Sequence, residues 1–146
     1  MTIVQATIND LDVLTELFDL YRQFYQQPSN VDAARIFLND RLSNEESVVF
    51  IAFDGNKAIG FVQLYPSFSS VSMQRTWVLN DLYVKEQGRG KGFGEKLMRA
   101  ALDFAKQTDA KGVLLETGIE NIGAQRLYEK IGFVKETNYF YFFSIK

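Results

Sequence analysis

The sequence predicts a mixed α/β fold, a sheet with helices on both of its faces. Three observations lead there. Helix-period segments and short apolar, strand-like runs alternate along the chain in the order β-α-α-β-β-β-α-β-α-β-β. Hydrophobic residues make up 47% of 146 positions and aromatics 14%, enough to bury a core. Only Pro28 and Pro66 occur, and no Ser/Gly-rich linker divides the chain, so residues 1–146 are expected to form one domain.

Residues 3–7 alternate weakly and read as a first strand. Asn9 or Asp10 can cap a helix whose apolar positions Leu11, Leu14, Leu17, Phe18, Tyr21, Phe24 and Tyr25 follow the 3.6 period, and Pro28 ends it. Residues 30–42 form a less regular helix with Ala34, Ile36, Phe37 and Leu38. The run SVVFIAF (47–53) is a strand, Asp54-Gly55 a hairpin turn, and residues 57–65 its partner. Another strand spans 76–84 (TWVLNDLYV). A glycine-studded loop, 87–94, precedes a helix with Phe93, Leu97, Ala101, Phe104 and Ala105 on one face. A buried strand follows at 111–117. Asn121 can cap a helix bearing Ala124, Leu127, Tyr128 and Ile131, which Gly132 stops. Val134 and the aromatic run 139–143 supply two final strands.

Cysteine and histidine are both absent. Disulfides, zinc sites, Ser-His-Asp triads and Cys-His pairs are thereby excluded, and no metal is expected. Any chemistry must use carboxylates, Tyr, Lys, backbone amides or water. No signal-peptide pattern opens the chain and no apolar run approaches the roughly 20 residues of a membrane span, so a cytoplasmic location away from membranes is expected. The net charge of −2 argues against nucleic-acid binding. Residues 1–84 hold five basic and ten acidic side chains, whereas 85–135 hold ten basic and seven acidic. That division suits a cationic substrate and an anionic cofactor, and it is equally what ordinary scatter of surface charge would give.

The strongest local signal is Gly88-Arg89-Gly90-Lys91-Gly92-Phe93-Gly94. It lies between a strand and an amphipathic helix, where backbone N–H groups and the helix dipole favour an anion and glycine lets the backbone approach a phosphate. A dinucleotide fingerprint fails, because Phe93 or Glu95 stands where glycine or alanine is needed. The P-loop ending fails too, since Gly92 rather than Ser or Thr follows Lys91. A glycine-rich turn without a ligand remains the alternative.

The spacing that fits is Arg89-x-x-Gly92-x-Gly94, which resembles the acyl-CoA motif of the GNAT superfamily of N-acetyltransferases. A second stretch, Asn121-x-x-Ala124-x-x-Leu127-Tyr128-x-x-x-Gly132-Phe133, resembles that superfamily's later motif. The resemblance is close over residues 79–133 and covers the element order of the rest. It implies a mixed, mostly antiparallel sheet of about six or seven strands flanked by about four helices, splayed between the fourth and fifth strands. It also implies acetyl-CoA as co-substrate. Amides of Arg89, Gly90, Lys91, Gly92, Phe93 and Gly94 would cradle the pyrophosphate. Backbone of Leu82, Tyr83 and Val84 would pair with the pantetheine arm, as an added strand does. Asn121 and Ala124 would hold the same arm, and Tyr128 would protonate the departing thiolate. Periodicity alone assigns Tyr128 to the core of its helix.

An amine of pKa about 10.4 must lose a proton before it attacks. The run Leu79-Asn80-Asp81-Leu82-Tyr83-Val84 resembles the corresponding segment of diamine and spermidine/spermine acetyltransferases, which tend to carry glutamate where this chain has Asn80. Alternation puts Asn80 and Asp81 on opposite faces. Asp81 acting through water is the expected base; a structural Asp81 is the alternative. Tyr65, Phe68, Trp77, Tyr139, Tyr141 and Phe143 could wall an amine pocket, or serve as sheet core or a dimer seam. Without cysteine an acyl-enzyme is disfavoured, so direct attack of a small-molecule primary amine on the thioester is expected. A non-catalytic acyl-CoA-binding domain and a protein lysine or N-terminal acetyltransferase are the rival functions. Five consecutive aromatics, 139–143, leave both faces of the last strand apolar, which predicts a homodimer; cover by a helix of the same chain is the alternative.

Overall fold

The computed structural model describes residues 1–146. After β1 (Thr2–Gln5), a capping box turns the backbone into helix. The Asn9 amide donates to Thr7 Oγ1 at 3.2 Å, and the Thr7 amide donates to Asp10 Oδ2 at 2.8 Å. Two otherwise orphaned donors satisfy each other's residues this way. Thr7 thus caps a 3-10 turn, while Asp10, one of the two caps expected, holds the N-cap position of the α-helix that follows without a side-chain cap bond. A single 3-10 turn (Ile8–Asp10) runs straight into α1 (Leu11–Phe24), which buries Leu14, Leu17 and Phe18.

The side chain of Asn30 caps α2 (Val31–Ser43), accepting from the Ala33 amide at 3.1 Å. Asp19 locks the connection between the two helices. Its carboxylate accepts from Ser29 Oγ at 2.6 Å, the Asn30 amide at 2.8 Å and Gln23 Nε2 at 3.0 Å. The Ser29 hydroxyl is the main cause holding that carboxyl below its usual range; burial opposes it, and Asn30 and Gln23 add to the lowering.

The sheet comprises β1, β2 (Val48–Asp54), β3 (Lys57–Ser69), β4 (Gln74–Val84) and β5 (Gly112–Leu114), and its spatial order is the chain order. The first four strands are antiparallel; β5 lies parallel to β4, reached by a crossover through α3 (Phe93–Gln107). Helices α1 and α2 cover one face, where Leu14, Leu17, Phe18, Ala34 and Leu38 pack with Val49, Ile51 and Phe61. Helix α3 covers the other, its Phe104 ring 5.8 Å from Phe50 and 5.2 Å from Trp77. This is the mixed α/β architecture expected.

The strand count differs. The sheet has five strands, the expected strand at 111–117 is reduced to Gly112–Leu114, and neither Val134 nor residues 139–143 form a strand. Aromatic β-propensity records how well a side chain fits a packed pleated surface, and it confers no ladder by itself. Tyr139, Phe140, Tyr141, Phe142 and Phe143 are between 76% and 89% exposed.

The chain divides into two compact units, Met1–Glu116 and Thr117–Lys146. The second contains α4 (Ile122–Ile131), capped by Asn121 and stopped at Gly132, where φ is 122°. Ala124, Leu127, Tyr128 and Ile131 form its half-buried stripe, and the Tyr128 ring meets Phe133 at 6.1 Å. No helix is long and apolar enough to cross a membrane.

Candidate active site

Strand β4 carries the site because its two ends have different neighbours. Only Thr76, Trp77 and Val78 pair with β5, so from Leu79 to Val84 the edge away from β3 has no strand beside it. The sheet is thus splayed at the expected place, and the open edge belongs to the expected residues Leu82, Tyr83 and Val84. An extended molecule laid there would find strand-type donors and acceptors. The Val84 carbonyl already accepts from Arg89 Nε at 3.0 Å.

A bulge lies within this stretch. Gln63 pairs with Asp81 and Leu64 with Leu79, leaving Asn80 as the extra residue. Upstream, Trp77 faces α3, its Nε1 donating to Thr108 Oγ1 at 3.0 Å. Downstream, Asp81 and Tyr83 face α1, beside Tyr21. Simple alternation would have given Leu79 and Asp81 one face; the bulge separates them. Asn80 is exposed while Asp81 is buried, yet Asn80 Nδ2 reaches back to Asp81 Oδ1 at 3.0 Å.

Asp81, 4% exposed, also accepts from Gln63 Nε2 at 2.6 Å. No Lys or Arg pairs with it. The phenols of Tyr21 and Tyr65 stand close by. Burial, then the charge of Asp81 and a hydrogen bond to it, then Tyr25 and Tyr65, push Tyr21 far above its usual range. Burial first and Asp81 second push Tyr65 up in the same way, with Arg41 opposing. Of the aromatics proposed as pocket walls, Tyr65 lies beside Asp81. Trp77 is buried under α3, Phe68 is 70% exposed against Arg75, and Tyr139, Tyr141 and Phe143 are exposed.

Sequence reasoning missed Gln63. The available signal was a lone amide in an otherwise apolar run, GFVQLY, on a strand too buried to leave it in water.

The glycine loop joins β4 to α3. Gly90 and Gly92 take left-handed φ angles of 76° and 87°, and a Cβ on either would meet open space. Glycine serves the backbone turn there, and the surface around it stays clear for a ligand. Gly92 is the N-cap of α3, without a side-chain cap, so the first-turn amides have no capping side chain. Their dipole favours an anion. Gly88 is buried between Ile59 and Val84 and fixes the root of the loop. Arg89 folds back, its guanidinium 5.2 Å from the Phe24 ring and 5.8 Å from Tyr83. Lys91 lines a surface cleft of about 360 Å³ with Lys57, Lys85, Glu16 and Asp54. Phe93 is buried beneath the loop and Gly94 is half-buried at the start of α3.

In the second unit, Asn121 Oδ1 accepts from the Ala124 amide at 3.4 Å. The cap occupies the oxygen of this residue and leaves its Nδ2 as the donor. Tyr128 lies on the half-buried stripe of α4, where the period placed it.

Comparison with known proteins agrees with this geometry. The pattern of the "Acetyltransferase (GNAT) family" matches residues 14–133. The chain is 45% identical over 142 residues to an uncharacterized N-acetyltransferase, YhfO, of Bacillus subtilis, covering 97% of this chain and 95% of that protein. It is 38% identical to a probable acetyltransferase of Haemophilus influenzae over 80% of each. A crystal structure of a probable acetyltransferase superposes with a TM-score of 0.93 at 41% identity, each chain covered completely. A pattern that starts in α1, passes through the open strand and the glycine loop and ends after α4, with relatives this close over nearly full length, means that the chain belongs to the GNAT family, whose acyl donor is acetyl-CoA, and is an acyltransferase.

Proposed function

We propose that the chain transfers the acetyl group of acetyl-CoA to a primary amine of a small molecule, polyamine or amino-acid-like, by direct attack. The observation that carries this reading is Asp81, a buried carboxylate on the same stretch of β4 whose outer edge is open. A thioester arm along Leu82, Tyr83 and Val84 and a cationic amine drawn to Asp81 would meet on one strand. The two units are taken as one catalytic domain because the family match crosses the boundary between them.

The residues divide the work. Amides of Arg89, Gly90, Lys91, Gly92, Phe93 and Gly94 hold the pyrophosphate at the start of α3, with the lysine adding charge. Asn121 Nδ2 and the Ala124 region hold the pantetheine arm. The ammonium gives one proton, through water, to Asp81. Its freed lone pair attacks the thioester carbonyl, the C–S bond breaks with its electrons leaving on sulfur, and Tyr128 supplies the proton that the thiolate takes up. The second proton, which the nitrogen sheds on becoming an amide, passes through water to restore the Tyr128 phenol. No cysteine intervenes, so positioning and proton management account for the catalysis.

We also propose a homodimer. Five consecutive aromatics at least 76% exposed form an apolar surface that a lone chain in water would not leave uncovered. The deciding experiment for the reaction is a panel of polyamines, amino acids, aminoglycosides and peptides assayed with acetyl-CoA by thiol release. Turnover of small primary amines is expected; turnover of peptides alone overturns the substrate class, and thiol release with none of them overturns the reaction.

A further inference from the structure

We propose that Gln63 and Asp81 together form the seat for the acceptor's ammonium group, and that Gln63 makes this seat select primary amines. This rests on the reading above that the acceptor is a cationic amine.

Gln63 is fully buried in the middle of β3. A carboxylate only accepts hydrogen bonds, so the amide must turn its nitrogen to Asp81, and the 2.6 Å contact is Nε2 to Oδ2. The carboxamide oxygen on the same carbon is left with no donor at all. An orphaned buried acceptor is destabilising and uncommon, and it calls for a donor from outside the chain. The other two buried orphans, Thr15 Oγ1 and Ser47 Oγ, are single hydroxyls.

Asp81 poses the complementary problem. Its hydrogen-bond partners Gln63 and Asn80 are neutral amides, and no side-chain cation comes within ion-pair distance. A buried carboxylate without counter-charge is strained in electrostatic terms, and a cation beside it relieves that strain. The surrounding rings suit the same guest. Tyr21 and Tyr65 are half-buried beside Asp81, and Phe61 lies 5.6 Å from the Tyr21 ring. Aromatic faces attract ammonium groups.

A primary ammonium fits this set. Of its three N–H groups, one pairs with Asp81, one meets the Gln63 oxygen, and the third donates to the water that relays its proton to Asp81. Each methyl on nitrogen removes one donor, and a tertiary ammonium has a single N–H, leaving Gln63 or Asp81 unpaired. The acetylated product keeps one N–H and no charge, so it leaves the seat.

The test is calorimetric titration of the full chain, saturated with CoA, with 1,4-diaminobutane and with the analogues bearing one or two methyl groups on each nitrogen. Wild-type affinity should fall about tenfold or more from the unmethylated to the dimethylated compound. Gln63→Met keeps the volume and removes both ends of the amide. It should weaken diaminobutane by about tenfold, bring the three compounds within about threefold of one another and leave CoA binding unchanged. If Gln63→Met does not fold, Gln63→Asn retains the amide but shortens its reach, and the same loss is expected. A variant that binds all three compounds as wild type does overturns the seat while leaving the acetyltransferase reading intact. Wild type that binds none of them overturns the amine reading itself.

Discussion

Replacing Gly60 by alanine tests whether the open strand is held in place by backbone packing. A Cβ at Gly60 would stand 2.5 Å from the Tyr83 carbonyl oxygen and 3.2 Å from both Val84 Cα and Cγ2. Ordinary contact begins near 3.4 Å, so β3 and β4 would have to part by about 0.9 Å (3.4 less 2.5). The neighbouring bond from the Lys85 amide to Ile59 O is 2.8 Å long; adding that displacement takes it to about 3.7 Å, beyond hydrogen-bond range. Overpacking costs about 1–3 kcal/mol and the lost bond about 1 more, together about 2–4 kcal/mol. For a chain of this size that lowers Tm by roughly 6–12 °C. The displaced groups are Tyr83 and Val84, so the KM for acetyl-CoA should rise as well. Thermal unfolding followed by circular dichroism, with Gly112→Ala as the control because its Cβ meets nothing within 4 Å, measures the first effect. A Gly60→Ala melting temperature within about 2 °C of wild type would refute the reasoning, since the strands would then part at little cost.

Four further outcomes are expected. Gly92→Asp, which sets a negative charge beside the first amides of α3, should weaken CoA by about tenfold, or about 1.4 kcal/mol, in calorimetry. Tyr128→Phe should lower kcat by roughly tenfold or more with little change in the KM for acetyl-CoA; a wild-type kcat returns Tyr128 to a packing role. Asp19→Asn should cost about 1–3 kcal/mol in denaturant unfolding near neutral pH, because three donors lose a charged acceptor. The Asp19 carboxyl titrates lower when folded than its ordinary 3.8, so its contribution is complete above about pH 4 and is lost as the pH falls through the folded value; the gap between wild type and variant should close on acidification. Light scattering at micromolar concentration should give a mass near two chains, and a mass near one chain of 16.7 kDa defeats the homodimer.

The parts legible in the sequence were those governed by local rules. The apolar period located α1, α3 and α4, and the Asp54-Gly55 turn located the β2–β3 hairpin, because neighbouring residues decide both. The glycine loop was legible for the same reason, since Gly90 and Gly92 are needed by their own φ angles. Gln63 was not, because its meaning comes from Asp81, eighteen residues away along the chain and adjacent only in the sheet. The Asn80 bulge depends likewise on the register between two strands, which alternation within one strand does not record. The aromatic run at 139–143 misled for the opposite reason: its propensity is strong, but pairing requires a partner strand.

The bulge at Asn80 works like a shift of reading frame. Before it, odd-numbered Trp77 belongs to the layer under α3; after it, odd-numbered Asp81 and Tyr83 belong to the layer under α1. One strand thus serves two interiors. The residues beyond the bulge can be exchanged without disturbing the packing of Trp77 against Phe104. Loss of Asn80 itself would only close the bulge into a regular ladder, with every downstream side chain keeping its layer, whereas loss of a paired residue beyond it would turn the rest of the strand to the wrong layer. Along this strand, then, the extra residue is the one position where a deletion is tolerated.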